Sequence, residues 1–473
     1  MSAGAGYGGT VSRAILTVHD PADGSLVGEV EAATPSEVET AVLSAAKAAP
    51  EWARTAPAER AAAVGACADR LAAARDALAL LTTREMGKPV DDARGGVDAG
   101  IGTLRQYAEL GPLHRGRSLQ GGWDATDLMV PQPRGVVAAI TPWNDPVAVP
   151  CGLLGAALVT GNTVVLKPSE RTPHTGLELA RLMQEVLPPG VLEVVLGDGG
   201  VGAALAASPD VDLVAHVGST RAGRAIAAAA ARTGAKVLLE NGGNDPLLVD
   251  DGVDPGWAAE QAALGAFANA GQICTAVERI YVVQSVADRF LDALVHRARS
   301  LATGAGTDPA TELGPLVDRR MRDDVHGQVS EAIDAGAELL AGGVVPDGPG
   351  SFYPATVLRG CTSGMRVMRE ETFGPVAPVR VVPDFDAALA EAIDDDYGLA
   401  ATVLTADMGH AQAAWRALPV GTVKVNDVFG GAPGGAAQPR RGSGAGFGYG
   451  PELLDEMTTT KVVHISPPPG GRH

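Results

Sequence analysis

Three residues in this chain carry groups suited to acyl chemistry, and each falls where a loop can present it. Cys274 lies in Asn269-Ala270-Gly271-Gln272-Ile273-Cys274-Thr275, between two expected elements, where a thiol can be exposed and its pKa tuned. The ordinary fate of a cysteine is that of a small buried hydrophobe, which is the reading for Cys67 and Cys361. Glu240 ends an apolar strand and precedes Asn241-Gly242-Gly243, whose glycines admit a ligand or a second loop. A carboxylate there can activate water, unless it is only a surface strand end. Asn144, in Pro142-Trp143-Asn144, offers an amide NH2 to an oxyanion, or else shapes a turn.

A second set suits a dinucleotide. Gly197-Asp198-Gly199-Gly200-Val201-Gly202 is a literal GxGxxG that follows a strand and opens a helix. That fingerprint also needs an acid about 20 residues on, at the end of the next strand. Here that strand ends in His216-Val217-Gly218-Ser219, so a tight structural turn competes with a phosphate cradle. Lys167-Pro168-Ser169-Glu170 makes a better ribose site, because an ammonium and a carboxylate together can bond vicinal hydroxyls. Lysine occurs only six times in a chain that otherwise uses arginine, which favours a placed Lys167. Gly218-Ser219 precedes a helix over 220–233, whose positive N-terminal end suits a pyrophosphate.

The elements that position these residues follow from periodicity and caps. Thr34-Pro35-Ser36-Glu37 reads as a capping box, and Ala-rich helices follow to about Arg84. Short apolar strands at 135–141, 163–167, 191–196, 211–217 and 236–239 alternate with helices, which predicts a parallel sheet covered on both faces. Such sheets bind ligands beyond the carboxyl ends of their strands. A second α/β unit runs from Asn241 to Asn426, with helices near 257–268 and 287–301 and strands at 279–283, 402–405 and 421–425. The segment 111–133 lacks a helical period and reads as an extended hairpin, matched by an extended tail at 458–465. A cleft between the two units is the natural place for a site.

The bulk numbers agree. A chain of 473 residues exceeds one core and predicts two sizeable domains. With 46% hydrophobic and 20% charged residues it can bury enough surface to fold. A net charge of −19 repels polyphosphates and anionic membranes, so neither nucleic acid nor a membrane is an expected partner. Four cysteines without CxxC spacing signal neither a disulfide framework nor a metal site, which fits a reducing, cytoplasmic setting. Met1–Thr10 lacks the pattern of a secretory signal. The uncharged run 146–160 falls short of the roughly 20 residues of a membrane span and reads as a buried core helix.

Read in order, Pro142-Trp143-Asn144, Lys167-Pro168-Ser169-Glu170, Gly218-Ser219, Glu240 with Gly242-Gly243, Gly271-Gln272-Ile273-Cys274, Glu371-Thr372-Phe373-Gly374-Pro375 and Asn426 match a known pattern. Over nearly its whole length the chain resembles the aldehyde dehydrogenase superfamily. The resemblance implies an α/β fold of two doubly wound parallel-sheet domains plus a small β oligomerisation segment. An NAD(P)-binding domain would comprise 1–110 and 134–240, with 427–456 returning to it. A catalytic domain would span 241–426, and 111–133 with 457–473 would bridge subunits of a homodimer or homotetramer. Cys274 would attack a small-molecule aldehyde, Asn144 and the Cys274 N–H would hold the oxyanion, and Glu240 would be general base for thioester hydrolysis. Cofactor contacts would come from Thr141, Pro142, Trp143, Lys167, Ser169, Glu170, Gly199, Gly218, Ser219, Glu371 (nicotinamide ribose) and Phe373 (beside the ring). NAD is the expected cofactor because Glu170 repels a 2′-phosphate, with NADP possible through Lys167 and Arg171.

The chain also departs from the family. Leu153 and Gly448 stand where a Lys and a Glu, usually described as a proton exit path, are expected. His216 replaces Phe, Asn241 replaces Leu, Asp145 replaces an aromatic, and Pro439-Arg440-Arg441-Gly442-Ser443-Gly444 replaces Pro-Phe-Gly-Gly. Arg440 or Arg441 becomes a candidate to meet an acidic substrate. Two other readings stay open: a coenzyme A acylating dehydrogenase, which Glu240 argues against, and a weakly active NAD-binding scaffold subunit.

Overall fold

The computed structural model describes residues 13–430 and 437–468. Met1–Thr10, and 469–473 of the expected bridging segment, lie outside the described residues. Five parallel strands, Val136–Ile140, Thr163–Lys167, Leu192–Val194, Leu213–Val217 and Lys236–Glu240, alternate with helices. The second and third strands add to one side of Val136–Ile140 and the fourth and fifth to the other. The winding therefore reverses between Val136–Ile140 and Leu213–Val217, which opens a crevice at their carboxyl ends. A short antiparallel strand, Gly444–Ala445, lies along the outer edge of Lys236–Glu240.

Val136–Ile140 explains the double cover. Val137 and Ala139 enter one apolar cluster with helices Val90–Leu110 and Ala148–Val159. Val136, Ala138 and Ile140 enter another with helix Pro35–Arg54. Side chains alternate across a strand, and here both sets are buried. The run read as a core helix is Ala148–Val159, buried throughout from Pro150. Among the described residues no helix is long and apolar enough to cross a membrane. The capping box forms: Thr34 Oγ1 accepts from the Glu37 N–H, and the Glu37 carboxylate accepts from the Thr34 N–H at 2.8 Å.

Helix Val90–Leu110 is absent from the sequence expectation. Its Gly95, Gly96, Gly100 and Gly102 weaken the helical signal. Packing needs two of them: a Cβ on Gly96 would stand 2.9 Å from Asp145 Oδ1, and one on Gly100 3.1 Å from Cys151 Sγ.

The second sheet has seven strands in the order Glu338–Ala341, Thr356–Arg359, Val376–Val382, Val277–Val283, Asp245–Val249, Ala400–Leu404 and Thr422–Val425. Only the first pair is antiparallel. In the third sheet Arg117–Leu119 pairs with Thr126–Pro133 as the expected hairpin, and the tail strand Thr458–Ile465 pairs along the whole of Thr126–Pro133.

Strand Val277–Val283 begins two residues before the expected Arg279 and carries Glu278 and Arg279 into a buried, otherwise apolar run. Both charges are matched. Arg279 donates through Nε to the Asn244 carbonyl at 2.8 Å and pairs with Asp395 at 2.6 Å, both side chains almost fully buried. The bond to Asn244 ties the segment after Gly242-Gly243 to the strand that follows Cys274. Arg279→Met should cost about 3–5 kcal/mol, because Asp395 is then buried and unpaired. Arg279→Met combined with Asp395→Leu should recover most of that loss, as read from urea unfolding midpoints.

Candidate active site

Cys274 reaches its position through a strained turn. Asn269, Ala270 and Gly271 take φ of 49°, 55° and 73° in the single turn Ala268–Gly271. Left-handed backbone at non-glycine residues costs of order 1–3 kcal/mol each and persists only where the surroundings over-determine it. Gln272, fully buried, supplies that determination. Its Nε2 donates to the Asn269 carbonyl at 3.0 Å, and its Oε1 accepts from the Val317 N–H at 2.9 Å. Its own carbonyl accepts from Asn269 Nδ2 and Asn144 Nδ2, each at 3.0 Å. Asn144 is thereby anchored two residues before the cysteine, with one amide N–H committed and the other left for a ligand.

Cys274 is half-buried, and its thiol donates to Glu240 Oε1 at 3.8 Å. Burial drives this thiol well above its ordinary pKa, and the carboxylates of Glu240, Asp245, Glu371 and Asp145 push the same way. Burial likewise raises the Glu240 carboxyl, an effect partly offset by the thiol's hydrogen bond. The other three cysteines are sealed in apolar surroundings. Burial pushes Cys67 and Cys361 up to about 12 and Cys151 upward as well.

Both glycines after Glu240 are required by close approach. A Cβ on Gly242 would meet Glu371 Oε2 at 2.1 Å, and one on Gly243 would meet the Cys274 carbonyl at 2.7 Å. The Gly243 N–H donates to Glu371 Oε1 at 3.1 Å. Glu278 holds the Glu371 turn by accepting from the Thr372 and Phe373 N–H groups, each at 3.0 Å. Burial raises Glu278 to about 7 against those bonds. Phe373, at φ 53°, meets Trp143 edge-on at 5.6 Å, and the Arg171 guanidinium lies 5.2 Å over the Trp143 ring. Asn426, at φ 60°, uses its amide to bridge the N–H and C=O of Thr405, a turn role.

The residues expected at a cofactor lie along the carboxyl edge of the first sheet. Thr141, Pro142 and Trp143 follow Val136–Ile140, Lys167 ends its strand, and Gly218 and Ser219 follow Leu213–Val217. Lys167 is buried, donates to the Pro168 carbonyl at 3.1 Å and pairs with Glu170 at 3.3 Å. Burial lowers its pKa, with Glu170 working in the opposite direction. The buried Ser169 hydroxyl accepts from the Arg171 N–H, and Ser219 caps helix Thr220–Thr233 through the Ala222 N–H. The GxGxxG stretch forms a turn. Asp198 caps helix Gly199–Ala206 through the Gly200 N–H, and a Cβ on Gly199 would meet nothing within 4 Å.

The positions that depart from the family pattern, and their neighbours, lie as follows. Leu153 is buried in helix Ala148–Val159. Lys88 approaches Asp145 at 3.9 Å. A Cβ on Gly448 would lie 2.5 Å from Glu240 Oε2, and a Cβ on Gly152 would lie 2.7 Å from the Tyr449 ring. Asn241 Nδ2 donates to the Gly442 carbonyl at 3.0 Å, and Ser443 Oγ donates to the Gly242 carbonyl at 2.8 Å. Arg441 is not free for an acidic substrate, because its guanidinium bonds the carbonyls of Ile393 and Asp395. Sequence reasoning missed the parts of Gln272, Glu278, Lys88, Tyr449 and Ser443. For Glu278 the available signal was a Glu-Arg pair inside an apolar strand. Among the described residues no group of three or more His, Cys, Asp or Glu could hold a metal ion.

A neighbouring carboxylate disfavours the thiolate, so iodoacetamide should label Cys274 ahead of the sealed cysteines, slowly at neutral pH and faster as pH rises. Glu240→Gln removes the nearest opposing charge and should shift that profile to lower pH. An unchanged profile, read by peptide mass mapping, would contradict this electrostatic picture.

The sequence model of the aldehyde dehydrogenase family matches residues 10–463. Among solved structures, a putative aldehyde dehydrogenase from Burkholderia cenocepacia is 34% identical, with 98% of this chain and 97% of that chain covered and a TM-score of 0.93. The NAD-dependent aldehyde dehydrogenase of Sinorhizobium meliloti is also 34% identical, at 97% and 93% coverage and a TM-score of 0.93. A point mutant of the Staphylococcus aureus betaine aldehyde dehydrogenase, in complex with NAD+, is 32% identical at 96% and 94% coverage, with a TM-score of 0.93. With the family pattern spanning nearly the whole chain and the fold shared end to end, the chain belongs to the aldehyde dehydrogenase family.

Proposed function

We propose that this enzyme oxidises a small aldehyde to its carboxylate with NAD, through a thiohemiacetal and then a thioester on Cys274. The observation that carries the reading is the thiol 3.8 Å from the Glu240 carboxylate, with the Asn144 amide anchored at 3.0 Å on the Gln272 carbonyl beside it. Sγ adds to the aldehyde carbon as its proton leaves, and the free N–H of Asn144 with the Cys274 N–H takes the oxyanion. Once the carbon is oxidised to the thioester, Glu240 deprotonates a water, the hydroxide adds to the carbonyl, and the C–S bond breaks to release the acid. With Leu153 and Gly448 at the two departed positions, the proton on Glu240 leaves through water or another route.

The crevice at the strand ends fits a dinucleotide. Thr141 Oγ1 and Thr220 Oγ1 are buried there without partners, as polar groups awaiting a ligand would be. Lys167, Ser169 and Glu170 would take the adenine ribose, Gly199, Gly218 and Ser219 the phosphates, and Glu371 and Phe373 the nicotinamide end beside Thr141, Pro142 and Trp143. Bound there, NAD supplies the hydride acceptor. Glu170 favours NAD, the cofactor in the Staphylococcus aureus complex, over NADP. We assign 1–110, 134–240 and 427–456 to cofactor binding, 241–426 to catalysis, and 111–133 with 457–473 to the contact between copies in a homodimer or homotetramer. Four free cysteines suit a reducing cytoplasm.

The test is NADH formation over a panel of neutral, cationic and anionic aldehydes. With Asp145 facing the thiol and Arg441 engaged elsewhere, anionic semialdehydes should be the poorest substrates. Cys274→Ala should abolish turnover, and Glu240→Gln should lower the steady rate by roughly 10²–10⁴-fold. Coenzyme A should neither speed turnover nor accumulate as acyl-CoA. Full activity in Cys274→Ala would overturn the reading, and NAD binding without turnover of any aldehyde would favour a scaffold subunit.

A further inference from the structure

Beside Asn144 the site carries a charge pair that the proposed chemistry does not use. Asp145 follows the anchored Asn144, and its carboxylate is close enough to the Cys274 thiol to act on it. An aromatic ring is the family's residue at this position, so a wall that would be apolar is here a hydrogen-bond acceptor. Lys88, just before helix Val90–Leu110, brings its ammonium to 3.9 Å from Asp145 Oδ1. The same helix turns Gly96 toward that oxygen, which is therefore faced by backbone there and not by a side chain.

At 3.9 Å the two groups attract but do not hydrogen-bond, since such a bond needs about 2.7–3.2 Å. Among the described residues neither charged group has a protein hydrogen-bond partner. The Lys88 side chain is only 9% exposed, and the Asp145 side chain is 34% exposed. An enclosed ammonium with three donors and a partly open carboxylate thus lie side by side, both with bonding capacity to spare. The charges near them decide what fits. An anion would meet Asp145 and also Asp92, a second carboxylate in range of Lys88. A cation would meet Lys88, and a hydrocarbon tail would cover both charges and bond neither. A hydroxyl satisfies both at once, because it donates through its proton and accepts through its lone pairs.

We propose that Asp145 and Lys88 form a specificity subsite for a hydroxyl group on the aldehyde's carbon chain, so that the preferred substrates are small hydroxyaldehydes. The hydroxyl donates to the Asp145 carboxylate and accepts from the Lys88 ammonium. Its use in turnover rests on the aldehyde oxidation proposed above, whereas hydroxyl binding at the pair does not.

The experiment compares kcat/KM for propanal with that for 2-hydroxypropanal and 3-hydroxypropanal, with 3-aminopropanal as the cationic arm. One hydroxyaldehyde should exceed propanal by about tenfold or more, as a hydrogen bond to a charged group allows. In Asp145→Ala and in Lys88→Met that ratio should fall to within about twofold of parity. A ratio taken on one enzyme does not depend on how much of it is folded, so partial loss of either variant does not blur the comparison. Parity in the parent, a preference that survives both substitutions, or 3-aminopropanal as the best substrate would overturn the subsite. Protection of Cys274 from iodoacetamide gives a readout without turnover: lactamide or 3-hydroxypropanamide should protect at about tenfold lower concentration than propanamide, and equal protection would count against the subsite. A parent enzyme inactive on every aldehyde would defeat the functional reading, and the protection series would still decide whether the pair binds a hydroxyl.

Discussion

One contact organises the site: a carboxylate at the end of the first sheet's outermost long strand, held beside a thiol on the loop entering the second sheet. Neither group can be placed by its own element alone, because the two belong to different sheets. The surrounding features are the means of bringing them together. Gly242 and Gly243 remove the side chains that would hold the loops apart, and Gln272 fixes the cysteine turn. Arg279 bonds the carbonyl just beyond the glycines from the strand just beyond the cysteine. Ser443 grips the Gly242 carbonyl from the returning segment. Remove any of these and the two loops lose a common reference.

Much of this was legible in the residues because the first sheet obeys simple rules. Thr163–Lys167 is bounded where its apolar run is bounded, and Thr34 with Glu37 marks a helix start that forms as a capping box. Legibility failed where tertiary demands overrode local preference. The glycines of Val90–Leu110 argue against a helix until Asp145 and Cys151 are seen pressing on two of them. Glu278 looks like the end of a loop until the N–H groups of Thr372 and Phe373, almost a hundred residues away, are seen bonding its buried carboxylate. The GxGxxG stretch left a turn and a phosphate cradle both open in the sequence, and it forms the turn, with an Asp198 cap and Gly197 at φ 156°.

The departures from the family pattern are easier to understand as partners than as separate changes. Asn241 in place of Leu and the altered 439–444 segment meet in one hydrogen bond, from Asn241 Nδ2 to the Gly442 carbonyl. A leucine at 241 would leave that carbonyl without this partner. Gly223 belongs to the same adjustment, because a Cβ there would meet Asn241 Oδ1 at 2.0 Å. Asp145, which stands where the family has an aromatic, lies 3.9 Å from Lys88, so a cation is at hand to hold part of its field.

Electrostatics give the central contact a further property. Burial pushes both Cys274 and Glu240 upward; the charge of Glu240 raises the thiol further, and the thiol's hydrogen bond lowers the carboxyl. The thiol donates to the carboxylate, so the bond keeps the proton on sulfur. Adding a second negative charge is opposed by Asp245, Glu371 and Asp145 together. A thiolate at this position therefore becomes favourable only as its charge is moved onto another atom. In the proposed reaction the amides of Asn144 and Cys274 would receive that charge as an oxyanion. The carboxylates around the thiol thus disfavour its ionised form in the resting site.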